Sequence, residues 1–179
     1  KENNPDIPLV WGGVLVNLIQ NVAIKDPRVD IIVIGDAEET LVELCSKLRN
    51  RESLEGVLGI TYKTKDSKPV FNPPRKFVDL NTLPPIPYHL VNIEDYFATI
   101  AQGEKGLIAV TSRGCPWRCA FCYNTAFNKE GEIRKWRAYN AERVVENLKQ
   151  LKEFGANAIY VTEDDFVIDK LNINGFDFY

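Results

Sequence analysis

Three of the chain's four cysteines lie in one short stretch, residues 111–124, which reads TSRGCPWRCAFCYN. Cys115, Cys119 and Cys122 follow the spacing C-x3-C-x2-C. Thiolates are soft ligands that suit zinc and iron–sulfur clusters. In a chain that shows no secretory signal, clustered cysteines are more often metal or redox ligands than disulfide partners. The spacing therefore indicates a metal or cluster site in this stretch, which we call the cysteine loop.

The number of thiol ligands separates the candidate kinds of site. A structural zinc site needs four ligands, and the only histidine, His89, lies in a proline-rich segment. Ferredoxin-type clusters take four cysteines at other spacings. Three thiolates fit a 4Fe–4S cluster with one iron left open for another ligand. A zinc site and a chance grouping of buried cysteines stay as alternatives.

The elements upstream of the cysteine loop alternate between strand and helix patterns. Residues 7–13 and 29–36 are apolar runs that we expect to form buried parallel strands, and a helical pattern follows each run. The second helix carries Cys45, which we expect to pack on the apolar side as a small hydrophobe. This order is typical of a doubly wound α/β domain. Residues 56–72 then read as a hairpin, and residues 73–97 as a linker with five prolines.

The cysteine loop follows the first strand of a predicted βαβ unit. Residues 106–114 read as a strand, residues 140–155 as a helix capped by Asn140, and residues 157–166 as a second strand. Three acids end that strand. They are Glu163, Asp164 and Asp165. Ligands of parallel α/β folds bind at the carboxyl ends of strands, so we expect these acids to lie beside the cysteines.

GCPWRCAFCYN resembles the signature of the radical S-adenosylmethionine enzymes, C-x3-C-x-aromatic-C, with Phe121 as the aromatic residue. The resemblance implies that the three cysteines bind a 4Fe–4S cluster whose open iron takes the amine and carboxylate of S-adenosylmethionine. It also implies one-electron cleavage to a 5′-deoxyadenosyl radical, with Phe121 near the adenine. It further implies that Glu163, Asp164 or Asp165 binds the amino group, although TEDDF departs from the GGE-like segment frequent in the family. A solvated strand end is the other interpretation of these acids.

The upstream half is similar to the cobalamin-binding subgroup, which includes methyltransferases and the anaerobic cyclase of chlorophyll synthesis. The segments that carry this similarity are PLVWGG, VDIIVIGDAEETLVELCSKL and DLNTLPPIPYHL. The similarity implies the C-terminal part of a Rossmann-like cobalamin-binding domain, residues 1–55. A hairpin and linker, residues 56–105, then lead to the first βαβ units of a partial TIM-type barrel, residues 106–179. Gly12 and Gly13 either let backbone approach the cobalamin or form a plain tight turn.

Other side chains of the cysteine loop have simpler interpretations. Arg113 and Arg118 either offset the charge of the thiolates or form ordinary surface ion pairs. Trp117 and Tyr123 are interpreted as local packing. No catalytic side chain is assigned.

Composition narrows the class of protein. The net charge of −3 does not fit a general nucleic-acid binder, and no apolar run approaches the ~18–20 residues of a membrane helix. We expect a cytoplasmic protein without nucleic-acid or membrane partners. Because it contains no methionine and only two strands of the cofactor domain, we also expect a piece of a longer protein.

The first hypothesis is a radical S-adenosylmethionine enzyme that methylates or cyclises an unactivated carbon with the help of cobalamin. Its expected partners are a small-molecule substrate and an electron donor such as a flavodoxin or ferredoxin. One alternative is a non-catalytic iron–sulfur module for electron transfer. Another is a zinc-stabilised binding domain.

Overall fold

The computed structural model describes residues 1, 3–98, 103–115, 117, 119–124 and 136–166. The chain forms two compact units, Lys1–Val78 and Asp79–Tyr179. Strands and helices alternate in both units, so the predicted α/β class is confirmed. The finer description, a cobalamin-domain end followed by a barrel start, stays a prediction at this level.

The first unit contains a four-stranded sheet in the order β1-β2-β3-β4. The strands are β1 Val10–Trp11, β2 Ile31–Val33, β3 Ile60–Lys63 and β4 Pro69–Phe71. β1 and β2 are parallel, as the sequence predicts, and the two remaining pairs are antiparallel. β3 and β4 are the strands of the predicted hairpin, so this hairpin continues the sheet of the first unit.

Helices cover both faces of this sheet. α1, Val14–Ala23, follows β1, and α2, Glu38–Asn50, follows β2. Ile32 lies in a core cluster with residues of α1, whereas Ile31 lies in a second cluster with Leu44 of α2. The two neighbours belong to different clusters because successive side chains of a strand point to opposite faces.

Two burial predictions for the first unit are wrong. Val10 and Trp11 of β1 are exposed, 38% and 37%, because β1 has a described neighbour on one side only. Cys45 is also exposed. Successive helix residues are rotated by about 100°, so α2 turns Leu44 toward the sheet and leaves Cys45 with the exposed Val42 on a second apolar stripe.

The segment after β4 returns to α2. Arg75 Nε donates to Thr40 Oγ1 at 2.9 Å, and the guanidinium forms ion pairs with Glu43 and, at 3.6 Å, with Glu39. Thr40 is fully buried and its hydroxyl also donates to the carbonyl of Leu58 at 3.3 Å. This network satisfies a buried hydroxyl and fastens the segment to the helix.

The second unit contains the predicted βαβ arrangement. Its strands are β5 Gly106–Ala109, β6 Ser112–Arg113, β7 Arg137–Ala138 and β8 Ala158–Val161. β5 and β8 are parallel, whereas β6 and β7 are antiparallel. α3, Ala141–Glu153, precedes β8. Asn140 caps α3, since its side chain accepts the N–H of Arg143 at 2.8 Å.

The part of the proline-rich linker after Val78 belongs to the second unit and packs on its core. It contains short 3-10 helices at Leu80–Thr82, Tyr88–Leu90 and Ile93–Tyr96. Side chains from the linker lie against a core of β5 and α3 residues. The linker residues are Tyr88, Ile93 and Phe97, and the core residues are Leu107, Ala109 and Leu151. Among the described residues, no helix combines the length and apolar character needed to cross a membrane.

Candidate functional site

The carboxyl ends of β5 and β8 are tied together by Glu163. Its Oε1 accepts hydrogen bonds from both the N–H and the hydroxyl of Thr111, just after β5. Its Oε2 accepts from Ser112 Oγ at 2.6 Å. Both carboxylate oxygens are therefore engaged at the entry to the cysteine loop.

Two aromatic side chains of the cysteine loop reach the other two acids. Trp117 Nε1 donates to Asp165 Oδ2 at 2.5 Å, and Tyr123 Oη donates to Asp164 Oδ1 at 3.1 Å. The prediction that the loop and the acids are neighbours is confirmed. The interpretation of Trp117 and Tyr123 as local packing missed the hydrogen bonds that their polar groups donate. The bond of Trp117 could have been predicted, since an indole N–H needs an acceptor and the strand end is rich in acids.

The three cysteines differ in exposure. Cys115 is buried, Cys122 is half-buried and Cys119 is exposed. The N–H of Cys122 donates to the carbonyl of Cys119 at 3.0 Å, which closes a turn between them. Within the part of the chain that the structure describes, no three His, Cys, Asp or Glu side chains converge on a point suited to one metal ion. The donor set, three thiols and no fourth on the loop, matches a cluster that spreads its thiolates over different irons better than a four-ligand zinc site.

The surroundings of Cys115 disfavour its thiolate. Burial raises the pKa of the Cys115 thiol, a backbone hydrogen bond with Trp117 opposes the shift, and the carboxylates of Asp165 and Asp164 add to it. Coordination deprotonates a thiol because the bound cation offsets such effects. Arg113 is a half-buried cation of the same loop, whereas Arg118 lies outside the described residues.

An open cleft of about 600 Å³ lies at this strand edge. Asp164 and Arg113 bring opposite charges to its lining, and Tyr123 lies between the cysteines and Asp164 in the same lining. Asp165 is not among the lining residues. Phe121 is 94% exposed, so its ring has a face available for contact with a ligand.

Gly12 and Gly13 lie at the carboxyl end of β1 in the first unit. Gly13 has φ 99°, a conformation that favours glycine. A Cβ on Gly12 would have its nearest neighbours in Val33 at 4.0 Å, which leaves ordinary space. Asn17 links this turn to the next one, because it donates to the Gly13 carbonyl at 2.7 Å and accepts from the Gly35 N–H at 2.7 Å. The approach of a cofactor to the two glycines stays a prediction.

Comparison with known proteins gives these sites a family context. Residues 109–171 match the model of the Radical SAM superfamily. The second unit carries a radical SAM segment. The whole chain is 33% identical over 174 residues to an uncharacterised methyltransferase of Pyrococcus horikoshii, covering 95% of this chain and 36% of that protein. It is 23% identical over 172 residues to the anaerobic magnesium-protoporphyrin IX monomethyl ester cyclase of Synechocystis sp., covering 95% and 33%.

A solved structure shares the fold of the chain. It is the radical S-adenosylmethionine methyltransferase TsrM from Kitasatospora setae, with cobalamin and a [4Fe-4S] cluster bound. The TM-score is 0.62 at 18% identity, and the match covers 89% of this chain and 31% of TsrM. The resemblance of residues 109–171 to the radical SAM superfamily is thus confirmed, and the likeness to TsrM shows a shared fold. The chain spans about a third of the length of each of these relatives.

Proposed function

We propose that the chain is the cluster-binding part of a cobalamin-dependent radical SAM enzyme. The observation that carries the proposal is the C-x3-C-x2-C loop, which follows β5 and meets the end of β8 inside the radical SAM segment. Cys115, Cys119 and Cys122 would hold a 4Fe–4S cluster. When bound, the cluster would supply one-electron chemistry: an electron from a donor such as a flavodoxin or ferredoxin would cleave S-adenosylmethionine to methionine and a 5′-deoxyadenosyl radical.

Side chains around the cleft would bind S-adenosylmethionine. Asp164 is exposed, lines the cleft and is oriented by the hydroxyl of Tyr123, so we assign it to the amino group. Glu163 is less suited to this role because both its oxygens already accept hydrogen bonds. The exposed ring of Phe121 would cover the adenine.

The first unit would contribute one edge of a cobalamin site. Gly12 and Gly13 lie where ligands of parallel α/β sheets bind, at the carboxyl ends of strands, and Asn17 holds the two turns of this edge together. Residues 1–55 would then be the end of a Rossmann-like domain, and residues 106–179 the start of a barrel. The reaction would be methylation or cyclisation of an unactivated carbon in a small molecule.

The proposal is tested by anaerobic reconstitution of the 179-residue chain with iron and sulfide, followed by S-adenosylmethionine and dithionite. We expect a brown 4Fe–4S protein that releases 5′-deoxyadenosine. Cys119→Ser should lose the cluster, whereas Cys45→Ser should keep it. Cys45 is the matched control because both thiols are exposed and only Cys119 belongs to the signature.

Other results would favour the alternatives. A cluster whose electron paramagnetic resonance spectrum ignores S-adenosylmethionine would indicate a non-catalytic electron-transfer module. Retained zinc and no iron uptake would indicate a zinc-stabilised domain.

The cobalamin site is tested separately. Gly12→Ala should weaken binding of aquacobalamin without loss of stability, because the folded protein has room for its Cβ.

A further inference from the structure

We propose that Asp165 positions the cysteine loop by holding the indole of Trp117, a contact that we call the Trp117–Asp165 clamp. The role of this contact in cluster binding rests on the proposed function. Its role in holding the loop rests only on the contacts within the second unit. Asp165 would thus act through Trp117, and it would contact neither S-adenosylmethionine nor substrate.

The position of Trp117 makes the clamp effective. Trp117 lies between Cys115 and Cys119, so a restraint on its ring limits the backbone between two expected cluster ligands. The indole N–H is a donor only, and its bond to the Asp165 carboxylate is charge-assisted at 2.5 Å. The bond is partly buried, where such bonds are stronger than in water.

Two neighbouring contacts restrain the same loop at its ends. Glu163 accepts from Thr111 and Ser112 before the first cysteine. Tyr123 donates to Asp164 after the last one, but this bond is exposed. Three consecutive acids therefore hold the beginning, the middle and the end of one loop. The clamp is the contact that acts inside the cysteine spacing.

The cleft separates the roles of the two aspartates. Asp164 lines the cleft and can present a carboxylate oxygen to an amino group, whereas Asp165 does not line it. The hydrogen bond of Asp165 with Trp117 and its contribution to the electrostatic surroundings of Cys115 both involve the cysteine loop. Asp165 is thus suited to position the ligands rather than to bind the cosubstrate.

The first test measures amide hydrogen exchange of residues 119–124 by NMR in the complete chain. Trp117→Phe removes the N–H and keeps a ring, and Asp165→Ala removes the acceptor. Each should speed exchange about tenfold, since hydrogen bonds to charged groups are worth more than neutral ones. Asp165→Asn keeps an acceptor and should change exchange about twofold. Trp136→Phe is the matched control, because no hydrogen-bond partner of Trp136 Nε1 is found among the described residues.

The second test measures iron loss to a chelator after reconstitution. Trp117→Phe and Asp165→Ala should each lose iron about tenfold faster than the parent chain, and the double variant should be no worse than either single one, because both remove the same bond. Asp165→Asn should keep the affinity for S-adenosylmethionine, measured by equilibrium dialysis. This last readout separates a residue that positions the loop from one that binds S-adenosylmethionine directly.

The outcomes separate the clamp from the proposed function. Exchange and iron loss of Trp117→Phe equal to those of Trp136→Phe would overturn the clamp. So would an Asp165→Asn variant that keeps its cluster and loses S-adenosylmethionine binding, because Asp165 would then be a ligand. If the parent chain takes up no iron, the proposed function fails, and the exchange experiment still decides whether the clamp holds the loop.

Discussion

Replacing Gly106 with alanine should destabilise the second unit, because β5 has no space for a methyl group at its first residue. A Cβ on Gly106 would lie 2.0 Å from Cε2 of Tyr160 and 2.9 Å from the carbonyl oxygen of Ala98. Moving the Tyr160 ring would weaken the bond from its hydroxyl to Glu104. Overpacking costs about 1–3 kcal/mol and a lost bond to a charged group about 1.5 kcal/mol, so we expect the free energy of unfolding to fall by about 2.5–4.5 kcal/mol.

A second substitution isolates the clash. Tyr160→Val removes the ring that meets the new methyl group, so the double variant Gly106→Ala/Tyr160→Val should lose about 1–2 kcal/mol less than the sum of the single variants. Urea unfolding followed by circular dichroism gives the required free energies. Strictly additive losses would refute the steric reasoning.

Gly103 provides the matched control. It has φ 82°, and apart from its chain neighbours no described residue comes within 4 Å of the position of a Cβ, so Gly103→Ala introduces backbone strain without a clash. We expect a loss of about 1 kcal/mol, and Tyr160→Val should leave that loss unchanged. A loss at Gly103 as large as that at Gly106 would mean that backbone conformation, rather than the Tyr160 ring, limits both sites.

Three further substitutions test contacts that hold helices and turns. Arg75→Ala should lower the free energy of unfolding by about 1–2 kcal/mol in urea, and Arg75→Lys nearly as much, because lysine lacks the planar fork; full stability of the lysine variant would contradict this. Asn17→Ala should lower the free energy of unfolding by about 1 kcal/mol and speed hydrogen exchange of the Gly35 amide. Unchanged exchange would mean that Asn17 does not protect this amide. Asn140→Ala should lose about 1 kcal/mol of thermal stability, whereas Asn140→Asp should not, and equal losses would exclude capping as the cause.

Local chemistry made much of the second unit predictable. The cysteine spacing, the cap at Asn140 and the strand–helix–strand order are all short-range patterns, and they predicted the parallel β5–β8 pair. The neighbourhood of loop and acids then followed from a general property of parallel sheets. Which acid would meet which donor did not follow, because Asp164 and Asp165 are adjacent and only the backbone path after β8 decides their partners.

Burial in the first unit was less predictable. An apolar run such as β1 reads the same whether a sheet neighbour covers one of its edges or both, and the sequence does not say which edge is covered. Cys45 shows the same difficulty on a helix. Cys45 and Val42 form an apolar pair beside the stripe of Leu44 and Leu48, and only the latter stripe contacts the sheet.

The order of synthesis gives the Trp117–Asp165 clamp a consequence in time. The two residues are 48 positions apart, which corresponds to about 2–10 s of translation at ~5–20 residues per second. From Cys122 onward in this interval, the nascent chain contains all three cysteines but not the carboxylate that we propose holds the loop between them. If the proposed cluster is delivered while the chain is still on the ribosome, it would meet a loop that lacks this contact, whereas delivery after release would meet a loop in which the contact has formed.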